Sequence, residues 1–408
     1  MKITNFLTCL LVVVLFLINA SFTFAQDWPQ WRGDNRDGKV IGFIAPQNWP
    51  EKLTQKWQIT VGKGDATPAL VGDKLFVFTG QEANEVTLCL NAGNGKEIWQ
   101  DKYLTQGVTG PASRHPGPRS SPTVAYGKVV TLGVSSVLSC LDAATGKVLW
   151  RKSEFANEAP KFFTAMSPII IDGMVIAHLG GEDKGTVIAF DLDNGNQKWK
   201  WTGDGPAYAS PVLMAVDKTK LIVVQTEKNI VGVAIADGKL LWQIPSPAKD
   251  RFYNSATPIV NGQTVIFTGQ GQGTKAMKIQ KEGDNFIAKE LWNNEELGTA
   301  YNTPVLKDGW LYGLSNRGNL FCMDAGTGKT AWVDDKDYKN FGAILDAGSV
   351  ILALPSNSEL IAFKPDDKEY AELAHIKVAD TPTYAHPVIA GKSIYVKDEE
   401  TLTMWVVE

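Results

Sequence analysis

The sequence predicts an all-β, eight-bladed β-propeller made of four-stranded antiparallel blades. Two observations carry this: an eleven-residue turn motif that recurs along the chain, and a series of prolines spaced at one period. Closure of the ring by the two chain ends follows from counting the copies. The motif is CLDAATGKVLW at residues 140–150, matched by CLNAGNGKEIW (89–99), AFDLDNGNQKW (189–199) and CMDAGTGKTAW (322–332). AIADGKLLW (234–242) reads as a shortened copy, and a degenerate copy ends in KELW at Trp292.

Each unit opens with Ser or Thr followed by Pro and a short apolar run, as in TPALVGDKLFVF, SPTVAYGKVVTL and TPVLKDGWLYGL. Pro68, Pro122, Pro168, Pro211, Pro258 and Pro304 are 54, 46, 43, 47 and 46 residues apart, and Pro387 follows after 83. The double interval holds one unit without the proline, FGAILDAGSVILALPSNSELIAF, which gives eight starts. Within a unit, the first strand follows Ser/Thr-Pro and the second follows a Gly-containing turn. The third ends at Asp or Asn, and the fourth follows the Thr-Gly-Lys turn and opens near the Trp. Asp, Asn and Gly supply the left-handed positions that tight turns require. Four antiparallel strands per ~45 residues is the pattern of a propeller blade. The last unit, from His386, supplies three strands, and QKWQIT (55–60) supplies the fourth, with Trp57 at the usual Trp position. Closure covers strand edges that would otherwise invite aggregation.

Composition agrees with a globular β protein: 44% hydrophobic, 21% charged, 38 Gly and 13 Trp in 408 residues. The net charge of −4 gives no basic excess for nucleic acid or an anionic membrane surface. Residues 1–25 read as a secretory signal, with Lys2 before a short apolar run and Thr-Phe-Ala before a mature start at Gln26; a retained anchor is the alternative. Cys9 lies inside the apolar run, away from the position of a lipid-bearing first residue. The expected organisation is therefore a signal (1–25), an N-terminal extension (26–54) and one propeller domain (55–408), periplasmic or secreted and monomeric, with no later membrane-spanning segment.

The motif small–x–Asp–x–x–Thr–Gly–Lys–x–x–Trp resembles the docking repeat of quinoprotein propellers, and the mature chain resembles the PQQ-like repeat family. That family includes BamB-type outer-membrane assembly lipoproteins. The opening DWPQWRGDNRDG (27–38) is similar to the N-terminal segment of exported family members of unassigned function. The resemblance implies a structural docking role for Trp57, Trp99, Trp150, Trp199, Trp242, Trp292 and Trp332, each packing on the turn of the next blade. One ligand cannot use seven symmetric outward positions. In the quinoprotein enzymes PQQ lies in the channel between a tryptophan and a vicinal disulfide, with calcium beside it; this chain has no Cys-Cys pair. Cys89, Cys140 and Cys322 share one repeat position, filled in other units by Ala189, Ala234 and Ala362, so three buried, unpaired thiols are expected.

No catalytic residue is assigned: GxSxG, P-loop and dinucleotide signatures are absent. No metal site is assigned either, because His115, His178, His375 and His386 lack ligand spacing, and the 34–38 stretch reads as a capped turn rather than a calcium loop. The candidate ligand or partner site is the set of blade-to-blade loops, which meet at one mouth of the channel. They carry Phe163, Tyr208, Tyr253, Tyr301 and Tyr384 with Lys161, Arg251, Asn254, Asn302 and His386 as polar companions. The longest loop adds Arg114, His115 and Arg119. Such a rim suits an anionic or carbohydrate-like ligand or a peptide; the same rings packed between blades would close the channel. The expected function is an exported, non-catalytic binding or scaffold protein without cofactor. The alternatives are a PQQ- and calcium-dependent oxidoreductase and an outer-membrane protein assembly factor.

Overall fold

The computed structural model describes residues 27–156, 158–248 and 253–408; the expected signal, its cleavage point, Cys9 and Arg251 lie outside them. Eight four-stranded antiparallel sheets form an eight-bladed propeller. Blade 1 runs Ala69–Val71, Lys74–Gln81, Asn84–Asn91 and Glu97–Leu104. Blades 2 to 7 open with Thr123–Ala125, Ile169–Ile171, Val212–Val216, Ile259–Asn261, Val305–Lys307 and Gly342–Asp346. Blade 8 combines Val388–Ala390, Ser393–Lys397 and Thr401–Val406 with Thr54–Thr60 as its outer strand, Trp57 facing Met404. The two chain ends thus close the ring as the missing-strand count requires. Lys397 fastens the joint: its buried ammonium donates to the carbonyls of Gly62, Gly64 and Asp398 at 3.2, 2.6 and 3.1 Å, and burial pulls it down to about 8.

The middle strands of each blade are covered on both faces by neighbouring blades, so they read as continuous apolar runs; Leu75 to Phe78 and Leu320 to Met323 are fully buried. The outer strands are largely exposed, and in blade 1 the strand EIWQDKYL buries its Trp alone. The recurring Gly explains the turn. Gly146 has φ +73°, and a Cβ there would lie 2.6 Å from the Trp99 ring of the preceding blade. Gly238 stands in the same relation to Trp199, at 2.5 Å. Only glycine meets both demands. Each docked indole then donates to a carbonyl of the next turn: Trp57 to Ala92, Trp99 to Ala143, Trp150 to Leu192, Trp199 to Ile235, Trp292 to Ala325 and Trp332 to Asp366, at 2.8–3.2 Å. Trp242 differs. Blade 5 replaces the short turn with a long hairpin, Gly273–Glu282 and Asn285–Asn294, and the buried Trp242 Nε1 has no acceptor.

The register corrects one sequence assignment. The residue facing Trp242 is Gly232, as Cys89, Cys140, Ala189 and Cys322 face their own Trp. Ala234 instead takes the Asp142 place: its amide donates the turn bond to the Lys239 carbonyl as that of Asp142 does to the Lys147 carbonyl. The copy is therefore full length, GVAIADGKLLW, and Gly is required because the Trp242 ring occupies the Cβ position, 2.2 Å away. The three cysteines are buried and unpaired.

The Ser/Thr-Pro signature also acquires a structural reason. The amide of the residue before proline donates to the hydroxyl of its counterpart in the next blade, from His386 to Thr67, then Ser121, Ser167, Ser210, Thr257 and Thr303. This collar around the channel stops at blade 7, the unit without the signature. Proline suits the position that follows because an innermost strand has an unpaired edge.

Candidate functional site

Antiparallel order places the blade-to-blade loops on one face of the ring, here the upper face, and the hairpins between first and second strands on the lower. The channel between them is filled from below by residues 27–40. Asp27 Oδ1 accepts from the Gly72 amide in the first hairpin of blade 1. Trp28 pairs both ways with Leu70, and the Pro29 carbonyl accepts from Val124 of blade 2. Trp31 Nε1 donates to Thr257 Oγ1 of blade 5 at 3.2 Å, and its ring lies edge-on to His386 of blade 8 at 4.4 Å. Arg32 donates to the carbonyls of Thr303 and Pro304 in blade 6, both at 2.9 Å. Arg36 donates to Ser167 and Pro211 at 3.1 and 3.0 Å and to Pro168, bridging blades 3 and 4. Gly38 and Val40 pair with Asp346 of blade 7. The segment thus touches all eight blades. Arg32 and Arg36 are 1% and 3% exposed; burial lowers their pKa values to about 10 and about 9, and both stay charged at neutral pH. Beside the segment a cleft of about 460 Å³ remains, between Asp34, Asn35 and Asp37 on one side and Ile170, Leu213 and Val260 on the other.

The upper mouth carries the aromatic rim, in two groups. Tyr301 and Phe341 stack face to face, 4.0 Å apart and 8° from parallel. Tyr384 stands edge-on to Phe341 at 5.4 Å and to His115 at 4.6 Å. His115 Nδ1 is 2.8 Å from Asp65 Oδ2 in the stretch that leads into blade 1, and its ring contacts with Phe341 and Tyr384 carry the long loop across to the loops of blades 7 and 8. The second group is Phe162, Tyr208 and Tyr253, with Tyr253 4.9 Å from Phe162 and 5.8 Å from Tyr208. The ring in this group is Phe162; its neighbour Phe163 instead makes the turn, at φ +64°. Tyr208 also accepts a hydrogen bond from the Phe162 amide, and burial raises its pKa.

The cations divide by burial. Arg119 is spent on carbonyls: Phe162, Ala112 at 3.2 Å and His115 at 2.8 Å. It braces the loop and links the two ring groups. Arg114 and Lys161 are exposed. Asn254 and Asn302 hold backbone carbonyls, and His386 lies within the channel, so these three are structural. Sequence reasoning missed Arg32, Arg36 and Phe341. Phe341 precedes the first strand of its blade as Tyr301 and Tyr384 do; the missing proline hid the equivalence.

The family resemblance raises PQQ with calcium, and the channel residues do not fit that pair. Trp31, Arg32 and Arg36 occupy the axis at the level of the hydroxyl collar, bonded to four blades. The cysteines sit in three separate blades. Among the described residues no group of three His, Cys, Asp or Glu could hold a metal ion.

The family profile described as outer membrane protein assembly factor BamB matches residues 34–182 and, overlapping, 82–334. The chain belongs to the PQQ-like repeat propeller family. The outer membrane protein assembly factor BamB of Yersinia pestis is 26% identical over 366 residues, covering 86% of this chain and 78% of that protein. The crystal structure of BamB from Moraxella catarrhalis superposes with a TM-score of 0.64 at 16% identity, over 87% of this chain and 98% of that one. Quinohemoprotein alcohol dehydrogenase ADHIIG from Pseudomonas putida HK5 gives 0.69 at 14% identity, over 94% and 80%. The last two likenesses establish the fold alone. No helix among the described residues is long and apolar enough to cross a membrane.

Proposed function

We propose that the protein is an exported, non-catalytic scaffold of the cell envelope that recognises a protein partner through its upper face. The observation that carries this reading is the channel: where an enzyme of the family needs room for a cofactor, this chain places its own Trp31, Arg32 and Arg36. What remains for recognition is the upper rim, where Tyr301 is 39% exposed and Arg114 is exposed on the long loop whose His115 meets Tyr384. Exposed aromatics and arginines on one face are the residue types that anchor protein interfaces. The relation to BamB supports the more specific form of this reading, a role in outer-membrane protein assembly.

The test is site-specific photo-crosslinking in the native envelope, with the probe at Tyr301 or Arg114 on the upper face and at Tyr126 on the lower. One discrete protein adduct from the upper positions alone is expected. Equal labelling from Tyr126 would overturn the assignment of the face. Stoichiometric PQQ in the purified protein, with dye-linked alcohol or sugar oxidation, would overturn the non-catalytic reading.

A further inference from the structure

The motif DWPQWRGDNRDG is not accounted for by a rim that binds partners. Its residues are too regularly engaged to be a tail that happens to rest in the channel. Gln30 folds back on the segment, its Oε1 accepting from Arg36 Nε at 2.8 Å and its Nε2 donating to Asp34. The amides of Gly33, Arg36 and Gly38 close turns onto Gln30, Gly33 and Arg32. Gly38, at φ +75°, admits no side chain because Arg32 and Val305 already crowd its Cβ position at 2.9 Å. The segment is thus a compact, self-bonded turn that presents two guanidinium groups outward to the ring.

The receiving surface has a matching chemistry. Propeller inner strands are edge strands, and their free carbonyls face the axis. Arg32 and Arg36 together take the carbonyls of Ser167, Pro168, Pro211, Thr303 and Pro304. A guanidinium donates through a planar fork to several acceptors at once, which an ammonium cannot do. After Val40 the chain runs on without regular strands to Thr54, with Ile41, Gly42, Ile44, Gln47 and Asn48 exposed.

We propose that the propeller channel is a binding site for an arginine-bearing peptide turn, filled in cis by residues 27–40 as an internal ligand. The site's specificity lies in the carbonyl collar of blades 3, 4 and 6, and the covalent link through residues 41–53 is dispensable for binding. The segment then keeps the lower mouth closed by its own affinity, independent of whatever the upper rim recognises.

The experiment is to insert a protease recognition sequence between Gln47 and Asn48 of the full chain, cut it, and follow the N-terminal fragment by gel filtration and native mass spectrometry. The fragment is expected to stay with the propeller. In the cut protein Arg36→Ala and Arg32→Ala should each shorten its retention by roughly tenfold or more, the scale of lost charged hydrogen bonds. Arg36→Lys should fail to restore it, and Lys39→Ala, an exposed neighbour, should leave it unchanged. Added peptide of sequence 27–40 should chase the fragment out. Immediate loss of the fragment on cutting, or equal retention in the arginine variants, would overturn the proposal. If an alanine variant fails to fold, the peptide chase on the cut parent protein decides alone: no exchange at micromolar peptide, with the fragment leaving only on unfolding, refutes a ligand-like site.

Discussion

Blades 1 to 3 and blade 7 meet the same packing demand with different parts. In the first group each outer strand carries a Trp that docks on the Gly turn of the next blade, and each inner strand opens with a hydroxyl collar residue. Blade 7 has neither: Ala374 stands at the Trp position, and the collar bond from Thr303 has no successor. Its inner strand is held instead by the N-terminal segment, through Gly38 and Val40 on Asp346, with Lys307 on the Asp346 carboxylate at 3.2 Å. Val40 and Phe43 join the core that contains Ala343, Val350 and Leu352. The repeat is thus a local solution, and a non-repeating segment takes over where the repeat lapses.

The severest way to break the comparison is to remove what both sectors share, the closed ring. Deleting residues 388–408 strips three strands from blade 8 and leaves Thr54–Thr60 unpaired. The loss should exceed the ~5–15 kcal/mol stability of an ordinary domain. No cooperative thermal transition is expected; a transition at the parental temperature would show that the ring does not depend on this joint.

Next comes the turn itself. Gly146→Ala must place a methyl 2.6 Å from the Trp99 ring at φ +73°, whereas Gly127→Ala has a similar φ of +69° and open space. The first should cost about 3 kcal/mol or more and the second about 1 kcal/mol. Equal costs in denaturant unfolding would mean that backbone conformation, not docking, selects the glycine.

A buried polar group sharpens the picture of the regular sector. His178, in the second strand of blade 3, donates through Nε2 to the Asp204 carbonyl at 3.1 Å, while its Nδ1 is buried without a partner. Burial holds its pKa at about 4. Between pH 6.5 and 4 the unfolded chain binds the proton and the folded one does not, so stability falls as pH falls through that window, by up to about 3 kcal/mol. His386 is lowered in the same direction. His178→Gln should flatten the slope of unfolding free energy against pH; an unchanged slope would assign the acid loss elsewhere.

A smaller difference separates docked indoles from each other. Trp150 Nε1 donates to Leu192, whereas the buried Trp242 Nε1 has no acceptor. Trp→Phe at 150 removes a made bond and leaves the Leu192 carbonyl only the weak Cys140 thiol donor, costing about 1 kcal/mol beyond the change of ring; at 242 it removes an unsatisfied donor and should be close to neutral in that respect. The ordering, read from paired chemical denaturation curves, matters more than either value. A larger loss at 242 would point to a water or side chain serving that nitrogen.

These contrasts also mark how far the sequence could be read. Period, strand count and ring closure were legible because they rest on contacts within one unit or between neighbours, so the same residues recur. Gly232 was misplaced because motif matching followed Ala234, a plausible small residue, and only the register with Trp242 distinguishes them. Arg32 and Arg36 were illegible as channel residues: the carbonyls they take in blades 3, 4 and 6 lie 131 to 272 positions away, and backbone acceptors leave no trace in side-chain pattern. The rim was half legible. Tyr208, Tyr253, Tyr301 and Tyr384 do come together by groups, yet which aromatic of the pair Phe162 and Phe163 faces them depends on one left-handed turn.

The smallest expected effect concerns the cysteines. Cys89, Cys140 and Cys322 each face the Trp of their own blade from a fully buried position. Ala189 and Ala276 fill that position in blades 3 and 5, so the site tolerates the loss of sulfur by sequence precedent. Each Cys→Ala change should cost less than about 1.5 kcal/mol, the removal of one small buried group. Burial pushes the thiols up, to about 11 for Cys89 and about 12 for Cys140 and Cys322, so little reactive thiolate exists at neutral pH. Native protein should therefore react slowly with thiol reagents, and protein unfolded without reductant should titrate three thiols for these positions. A fast native reaction at any one of them would show that its blade opens at the docking Trp, which would make the neighbouring joint, and not the irregular blade 7, the weak point of the ring.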